Sequence, residues 1–557
     1  MIHELNDQIT TCLHHMLLVP YRGSGFQEFS LKRLTEVLQD GSTDVVATAK
    51  SLFILAISFQ NYRVVSTHHR HTALPFSETP QRIISRLVEV ASSLIIDDDV
   101  VSTADGLECL MLRAVFLAYD GRLKPAIVTL RRAIVIGQLL GAHLVYESSH
   151  TADDPSRRLA FVWHRLNYFE MLLCLVLGLP QGAPSAMQSL TEDPAARNLH
   201  PMEELKYRHC NIISQILQRN QSQYGLADAA LTRHIDLELQ EAARRMPSGW
   251  WVQPTLADIQ RDGTACSLEV ARLTSQFFHY YLVTILHFPQ MIPGVITPDD
   301  KGGKKARSEC VCAGSAREVL TRFDTCRSVE TLGYPCGAAD YFALSSCTVL
   351  LLAHIGSHYT CGAGAETSSQ LAHQRLSDRS LASRTLERFS QGLTCRNTYQ
   401  EQGDEVRELL RAEEIVDSAC FEARRSQGLD HQHKDTDHED RHSRPIHRLH
   451  HHLFGTLSIM RSGEILHEAP RKQKSPVSPL RRPRSPRPVT ANRHHPAGVF
   501  WSEESRGRHV RPASRSSAEQ ASFDILPELT ETINPADINL PKHLTDDVNS
   551  FFFATDF

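Results

Sequence analysis

The chain has 557 residues, 41% of them hydrophobic and 22% charged, with a formal net charge of -5 at pH 7. That is enough apolar content for one large core or two to three ordinary domains. The charge excludes a chain that grips polyanions by its overall sign, and the thirteen scattered cysteines exclude a small disulfide-stapled scaffold. The N-terminus has no basic patch followed by a continuous apolar run, so no signal peptide is expected. The longest apolar stretch, around Met171 to Leu177, is too short to span a bilayer, so the expectation is a reduced, soluble, intracellular protein with no membrane partner.

Residues 1–360 read as mainly helical. Leu107, Leu110, Met111, Ala114, Val115 and Ala118 follow the i, i+3, i+4, i+7 spacing of one helix face, and Leu130, Ala133, Ile134 and Gly137 continue it in a second helix. Asp120-Gly121 supplies the turn between them, and Pro125 is tolerated in the first turn of the second helix. The next helix runs from Arg158 to Leu177, after the capping cluster Asp153-Asp154-Pro155-Ser156, and stops at Gly178-Leu179-Pro180. Further helices are expected at Leu226–Arg245, ending at Pro247-Ser248-Gly249, and at Ser267–Leu286, ending at Pro289. Others follow at Ser315–Glu330, Ala338–His354 and, as one piece, Leu381–Ala419. Strand-like alternation is scarce, and no fixed-period repeat is present.

The texture changes past residue 362 and most sharply after 420. Segment 425–525 carries too little apolar surface to offset its ordering entropy and reads as disordered. Within it, the Ser-Pro and Arg-Pro dipeptides of Ser475–Pro488 favour an extended chain. Residues 461–515 hold thirteen Lys/Arg against four acids, whereas residues 516–557 hold eight acids against one Lys. A basic block followed by an acidic tail points to partner binding outside a packed core. The expected organisation is an all-α domain over 1–420, a disordered His/Arg/Pro/Ser-rich linker over 421–525 and an acidic-aromatic tail over 526–557.

Four blocks, in order, carry a resemblance. The first runs from Gly106-Leu107-Glu108-Cys109-Leu110 to Gly141-Ala142-His143, a helix pair with an alanine-bearing second helix. The second spans Arg157-Arg158-Leu159 to Gly178-Leu179-Pro180, with Trp163, Tyr168 and Glu170 at aromatic, aromatic and acidic positions. The third spans Ile235 to Arg245-Met246-Pro247-Ser248-Gly249-Trp250-Trp251. The fourth combines Phe277, Phe278, His279, Tyr280 and Tyr281 with His287-Phe288-Pro289, Ser315-Ala316-Arg317, Ala339-Asp340-Tyr341-Phe342 and Leu350 to His354. Over about residues 30–360 this resembles the regulatory middle homology domain of fungal-specific, zinc binuclear cluster transcription factors. Met171 and Leu179 depart from the pattern, each standing where Arg is common. The resemblance implies an all-α domain that modulates transcription in the nucleus, of a metabolic or secondary-metabolite gene set.

The residues themselves allow a plainer account. Trp163, Tyr168, Trp250 and Trp251 suit core or domain-edge packing, and Arg157 and Arg158 suit pairing with nearby acids. Glu170, within an apolar helix, needs a partner, for which an Arg is expected, because a buried lone carboxylate is costly. His279 and His287, eight residues apart, are too distant to share a metal and suit packing or capping.

The family's DNA reader holds two zinc ions with six cysteines and opens on Cys-x2-Cys, a spacing that brings two thiolates to one tetrahedral metal. This sequence contains no Cys-x2-Cys, its closest pair being Cys310 and Cys312, and Cys12 is the sole cysteine of the first 100 residues. The zinc cluster is therefore expected to be absent, with no cofactor and no base-reading residue to assign. Two accounts stay open: a truncated factor that starts after its DNA-binding region, or a co-regulator that works through a DNA-binding partner. DNA is a direct partner only if a cluster precedes this chain.

Other motifs bear on chemistry. His438-Glu439-Asp440-Arg441-His442 matches H-E-x-x-H, but its charged surroundings offer no core for a rigid metal-binding helix. His431, His433, His438, His442 and His447 read as a solvated linker. Arg471, Lys472, Lys474, Arg481, Arg482 and Arg484 form two basic clusters that fit a bipartite nuclear-import signal or a charged linker, and phosphorylation at Ser475 or Ser485 would weaken them. Asp546, Asp547, Phe551, Phe552, Phe553, Asp556 and Phe557 fit an activation segment that folds onto the transcription machinery, or a terminal plug on the domain. No nucleophile elbow, P-loop or dinucleotide fingerprint is found, so no enzyme is expected. A small-molecule effector on the helical domain is compatible with this reading. The competing reading is a helical binding protein or enzyme outside the nucleus.

Overall fold

A computed structural model of the protein describes residues 44–66, 80–144, 155–183, 200–222, 225–255, 264–292, 303–328, 337–360, 368–391, 399–427, 444–451 and 455–468. Among these, twelve α-helices are followed by one small sheet. The helices are α1 Val45–Ser66, α2 Pro80–Leu94, α3 Ala104–Tyr119, α4 Leu123–Leu139, α5 Pro155–Leu177 and α6 Pro201–Gln221, then α7 Ala229–Arg244, α8 Thr264–Met291, α9 Gly303–Ser328, α10 Gly337–Thr360, α11 Ser368–Gln391 and α12 Gln400–Gln427. The fold class is all-α, as expected.

Local signals explain most boundaries. Thr103 caps α3 by accepting from the Gly106 N–H at 3.0 Å, and Gly121 takes φ 76° in the turn to α4. Gly106 lies so close to the Val101 backbone that a Cβ would sit 2.4 Å from it. Helix α5 stops where Gly178 adopts φ 66°. Asp228 caps α7 through the Ala230 and Leu231 N–H groups, both at 2.9 Å.

Several boundaries differ from expectation, among them the end of α10, which runs to Thr360 instead of His354. Helix α8 runs through Pro289 to Met291 instead of stopping before it. Only two residues follow the proline, so little of the helix beyond it depends on the hydrogen bond it lacks. Helix α9 begins twelve residues earlier than the apolar pattern suggested, because its first turns are polar. The single piece expected over 381–419 is two helices, α11 and α12.

The apolar side chains form one main core that reaches from Ala49 and Leu52 on α1 to Val416 on α12. Helix α1 is buried along most of its length, which accounts for its nearly unbroken apolar run Leu52 to Ile57. Two stretches, Arg158–Leu177 and Ala339–His358, are long and apolar enough to cross a membrane, contrary to the estimate from Met171–Leu177. Most of each is buried against other helices, the environment of a core helix.

The larger correction lies in the segment expected to be disordered over 425–525. Helix α12 continues to Gln427, and residues His447–His451, Gly455–Ile459 and Ile465–Glu468 form β1, β2 and β3 of an antiparallel meander. Leu449 pairs with Leu457 and Ile459 with Ile465; the buried Leu449 and Ile465 alternate with the exposed Arg448 and Leu466, whereas Leu457, Ser458 and Ile459 of β2 are all buried. The helical body supplies the hydrophobic face that composition alone did not reveal: the sheet's Leu449, Leu457, Ile459 and Ile465 belong to the main core. Gly463, at φ 83°, packs where a Cβ would sit 2.7 Å from the Ile355 carbonyl oxygen of α10. The rest of the linker and the whole tail lie outside the described residues.

Candidate functional site

Three helices each offer one partly polar face to a common cavity. Helix α8 contributes Tyr281, Thr284, Ile285 and Phe288, and α10 contributes Tyr341, Leu344, Ser345 and Thr348, both at i, i+3, i+4, i+7 spacing. Helix α12 adds Gln402 and Glu405, the end of α6 adds Asn220, and strand β1 closes the site with His450 and His451. The cavity measures about 110 Å³, the same order as the ~150 Å³ engineered cavity known to hold benzene.

Its walls are held firmly. The Tyr281 ring stacks on Phe342 with centroids 4.0 Å apart. Both Tyr281 and Tyr341 hydrogen-bond the Ser345 side chain, and burial raises both phenols, Tyr341 to about 12. Asn220 is fixed by Arg219, whose Nη2 donates to Asn220 Oδ1 at 2.9 Å. Arg219 itself is fully buried and donates to the Leu286 carbonyl at 2.7 Å and to Thr232 Oγ1 at 3.1 Å. Burial lowers its pKa to about 10.

Glu405 and Gln402 are different. Among the described residues, Glu405 has neither a hydrogen bond nor an ion pair, and burial, helped by the nearby Glu401, pushes its carboxyl up to about 7. The Gln402 Oε1 is buried and accepts no hydrogen bond from a described residue. Two acceptors without donors therefore face one polar cavity.

A second polar cluster lies between α5, α6 and α8. Arg165, fully buried, pairs with Glu203, and Lys206 lies 3.8 Å from the same carboxylate. Burial outweighs the attraction of Glu203 and lowers Lys206 to about 7. Nearby, His209 Nε2 meets His279 Nδ1 at 3.1 Å, with Trp251 packed on His279 at 4.6 Å. This cluster joins three helices in the interior.

The phrase residues that the sequence singled out occupy packing positions. Glu170, 1% exposed, meets Arg131 Nε at 3.3 Å and accepts from the Gly182 N–H at 3.0 Å. Arg158 pairs with Asp105 and Glu108, while the side chain of Arg157 lies outside the described residues. Trp163 packs on Gly137, and Tyr168 meets Phe278 edge-on at 6.0 Å. The carbonyls of Trp250 and Val252 accept from Arg272 at 3.0 and 2.6 Å, and Trp251 Nε1 donates to the Ala243 carbonyl at 3.0 Å. His287 lies 3.5 Å from Asp236 and 3.4 Å from Ser308 Oγ.

The chain is similar to named fungal regulators. It is 34% identical over 379 residues to the dehydrocurvularin biosynthesis regulator of Alternaria cinerariae, covering 66% of this chain and 47% of that protein. It is 35% identical over 320 residues to the regulator of the same name from Aspergillus terreus, covering 57% and 43%. It is 36% identical over 257 residues to transcription factor eupR of a Phoma species, covering 44% and 53%. The chain thus spans about half the length of the curated relatives it matches. No family model and no solved structure matches it.

The basic clusters Arg471, Lys472, Lys474, Arg481, Arg482 and Arg484 lie outside the described residues. So do the tail residues Asp546, Asp547, Phe551, Phe552, Phe553, Asp556 and Phe557, and the motif His438 to His442. Among the described residues no group of three or more His, Cys, Asp or Glu is placed to hold a metal. Sequence reasoning passed over Gln402, Glu405 and the rim histidines. The available signal was a polar residue recurring on an apolar face, Thr284 on α8 and Ser345 and Thr348 on α10, two helices it had already delineated.

Proposed function

We propose that this protein regulates transcription of a fungal secondary-metabolite gene set, as the helical regulatory body of a zinc-cluster type factor. The observation that carries this reading is the similarity, over up to 66% of the chain, to relatives named as biosynthesis regulators and transcription factors, not as enzymes. The resemblance of its four phrases supports the same reading. They fall on α3 to α5 and α7 to α10, where they pack the helices together.

The proposed place of action is the nucleus, with the basic clusters at 471–484 as import signal and the acidic-aromatic tail as the segment that recruits transcription machinery. The chain carries no Cys-x2-Cys pair. Contact with DNA therefore runs through a DNA-binding partner or through a zinc cluster on a longer product of the same gene.

The test is localisation in the fungus. The tagged full chain should concentrate in the nucleus, and replacing Arg471, Lys472, Lys474, Arg481, Arg482 and Arg484 by Ala should move it to the cytosol. A cytosolic signal for both forms would favour a binding protein or enzyme outside the nucleus and overturn the proposal.

A further inference from the structure

The cavity between α8, α10, α12 and β1 has an unusual balance of charge. Glu405 contributes a carboxyl that no described residue pairs, and Gln402 contributes a buried amide oxygen with no donor. Among the described residues, no Lys or Arg lines the space. The other titratable groups facing it are the phenols of Tyr281 and Tyr341, which share Ser345, and the rim residues His450 and His451 on β1. Of these, His450 Nδ1 lies 3.3 Å from Thr456 Oγ1, and the ring of His451 meets Phe288 edge-on at 5.3 Å. Glu401, one turn before Glu405 on α12, adds a second negative charge nearby.

A buried acceptor without a donor, and a desolvated carboxyl without a cation, both cost free energy that a suitable guest returns. An anionic guest would meet Glu405 and Glu401 with no compensating cation. A neutral guest would fill the space and leave the carboxylate unpaired. A guest carrying an ammonium group satisfies both acceptors at once, and the aromatic rings of Tyr281, Phe288 and Tyr341 suit a flat apolar body next to a positive charge.

We propose that this cavity is a binding site for a small ring-bearing amine, its ammonium group on Glu405 and Gln402 and its ring against Tyr281, Phe288 and Tyr341. An occupant there would lie against α8, α10 and α12 at once, in a space that β1 closes with His450 and His451. That such binding controls transcription rests on the regulator reading above; the binding itself does not.

The probes are benzylamine, benzyl alcohol and benzoate, which share a ring and differ in charge, titrated calorimetrically into the purified full chain. At about pH 8, benzylamine should bind more tightly than benzyl alcohol by roughly tenfold, the value of a hydrogen bond to a charged partner, and benzoate should not bind. Glu405→Gln should weaken benzylamine by roughly tenfold while leaving benzyl alcohol within about twofold. Gln402→Met should weaken both. Lowering the pH to about 6 should weaken benzylamine for the natural protein and leave Glu405→Gln unaffected, because the carboxyl must shed its proton to pair. Benzoate binding as well as benzylamine, benzylamine affinity unchanged by Glu405→Gln, or no heat from any probe would each overturn the proposal. Calorimetry reports on the pocket alone, whereas a failed localisation experiment bears on the regulator reading alone.

Discussion

Arg131 on α4 reaches Glu170 on α5, with Nε 3.3 Å from the buried carboxylate and Nη2 donating to the Pro180 carbonyl at 2.6 Å. One guanidinium therefore ties a helix interior to the Gly-Leu-Pro stop that follows it. Cys174 and the Gly182 N–H complete the shell around Glu170. Arg131→Met should leave the carboxylate buried with too few donors and cost about 3 kcal/mol in urea unfolding. Glu170→Gln, which keeps an acceptor for Gly182, should cost less, about 1–2 kcal/mol. Equal losses for both would contradict this account of the loop.

The Arg165–Glu203 pair predicts an asymmetry. Glu203→Gln strips the counter-charge from a fully buried Arg165 and should destabilise by about 3–5 kcal/mol. Lys206→Met removes a charge whose folded pKa is depressed to about 7 by burial. Its natural form is least favourable when protonated, at pH below that value, and the cost fades as pH rises towards the unfolded pKa. The Met variant should therefore gain stability relative to the natural protein at about pH 6 and keep a smaller advantage at about pH 9. Unfolding midpoints at the two pH values decide it.

Glu405 gives a second pH signature, of the kind expected for a raised carboxyl. Its folded pKa of about 7 lies above the ordinary 4.5, so the folded state holds the proton more tightly and loses stability as pH rises from the lower value through the higher one. Glu405→Gln should abolish that loss and be more stable than the natural chain by about 1–2 kcal/mol at about pH 8, with little difference at about pH 4. Thermal midpoints across that range measure it. A variant less stable at both ends would show that the carboxyl has a partner.

Gly463 reports on the meander. A Cβ there would meet the Ile355 carbonyl oxygen at 2.7 Å from a positive φ, so Gly463→Ala should loosen β1–β3 from α10 at a cost of about 2 kcal/mol. Hydrogen exchange should speed up in residues 447–468 and remain slow in α3 and α4. Uniform loss of protection would mean that the sheet is not a separable layer.

Helix positions were legible because local signals fixed them: the Asp120-Gly121 turn, the Gly178-Leu179-Pro180 stop, and the apolar spacing of Leu107 to Ala118. The need of Glu170 for an arginine was legible too, because burying a lone carboxylate is costly. Which arginine was not legible, since 39 residues separate Arg131 from Glu170 and contact across them depends on how α4 and α5 cross. The meander was missed because five histidines and arginines over 447–452 hide the two-residue alternation of Leu449, Leu457 and Ile459. The pocket was missed for a related reason. Gln402 and Glu405 are ordinary on a helix of net polar character, and only the packing of α12 on α10 makes them desolvated.

The central claim is that this chain controls transcription, and tethering tests it most directly. The full chain, fused to an unrelated DNA-binding domain and expressed in the fungus, should raise a reporter carrying that domain's site severalfold. Replacing Phe551, Phe552 and Phe553 by Ala should remove most of the gain. A reporter that stays at its basal level while the fusion accumulates in the nucleus would contradict the account.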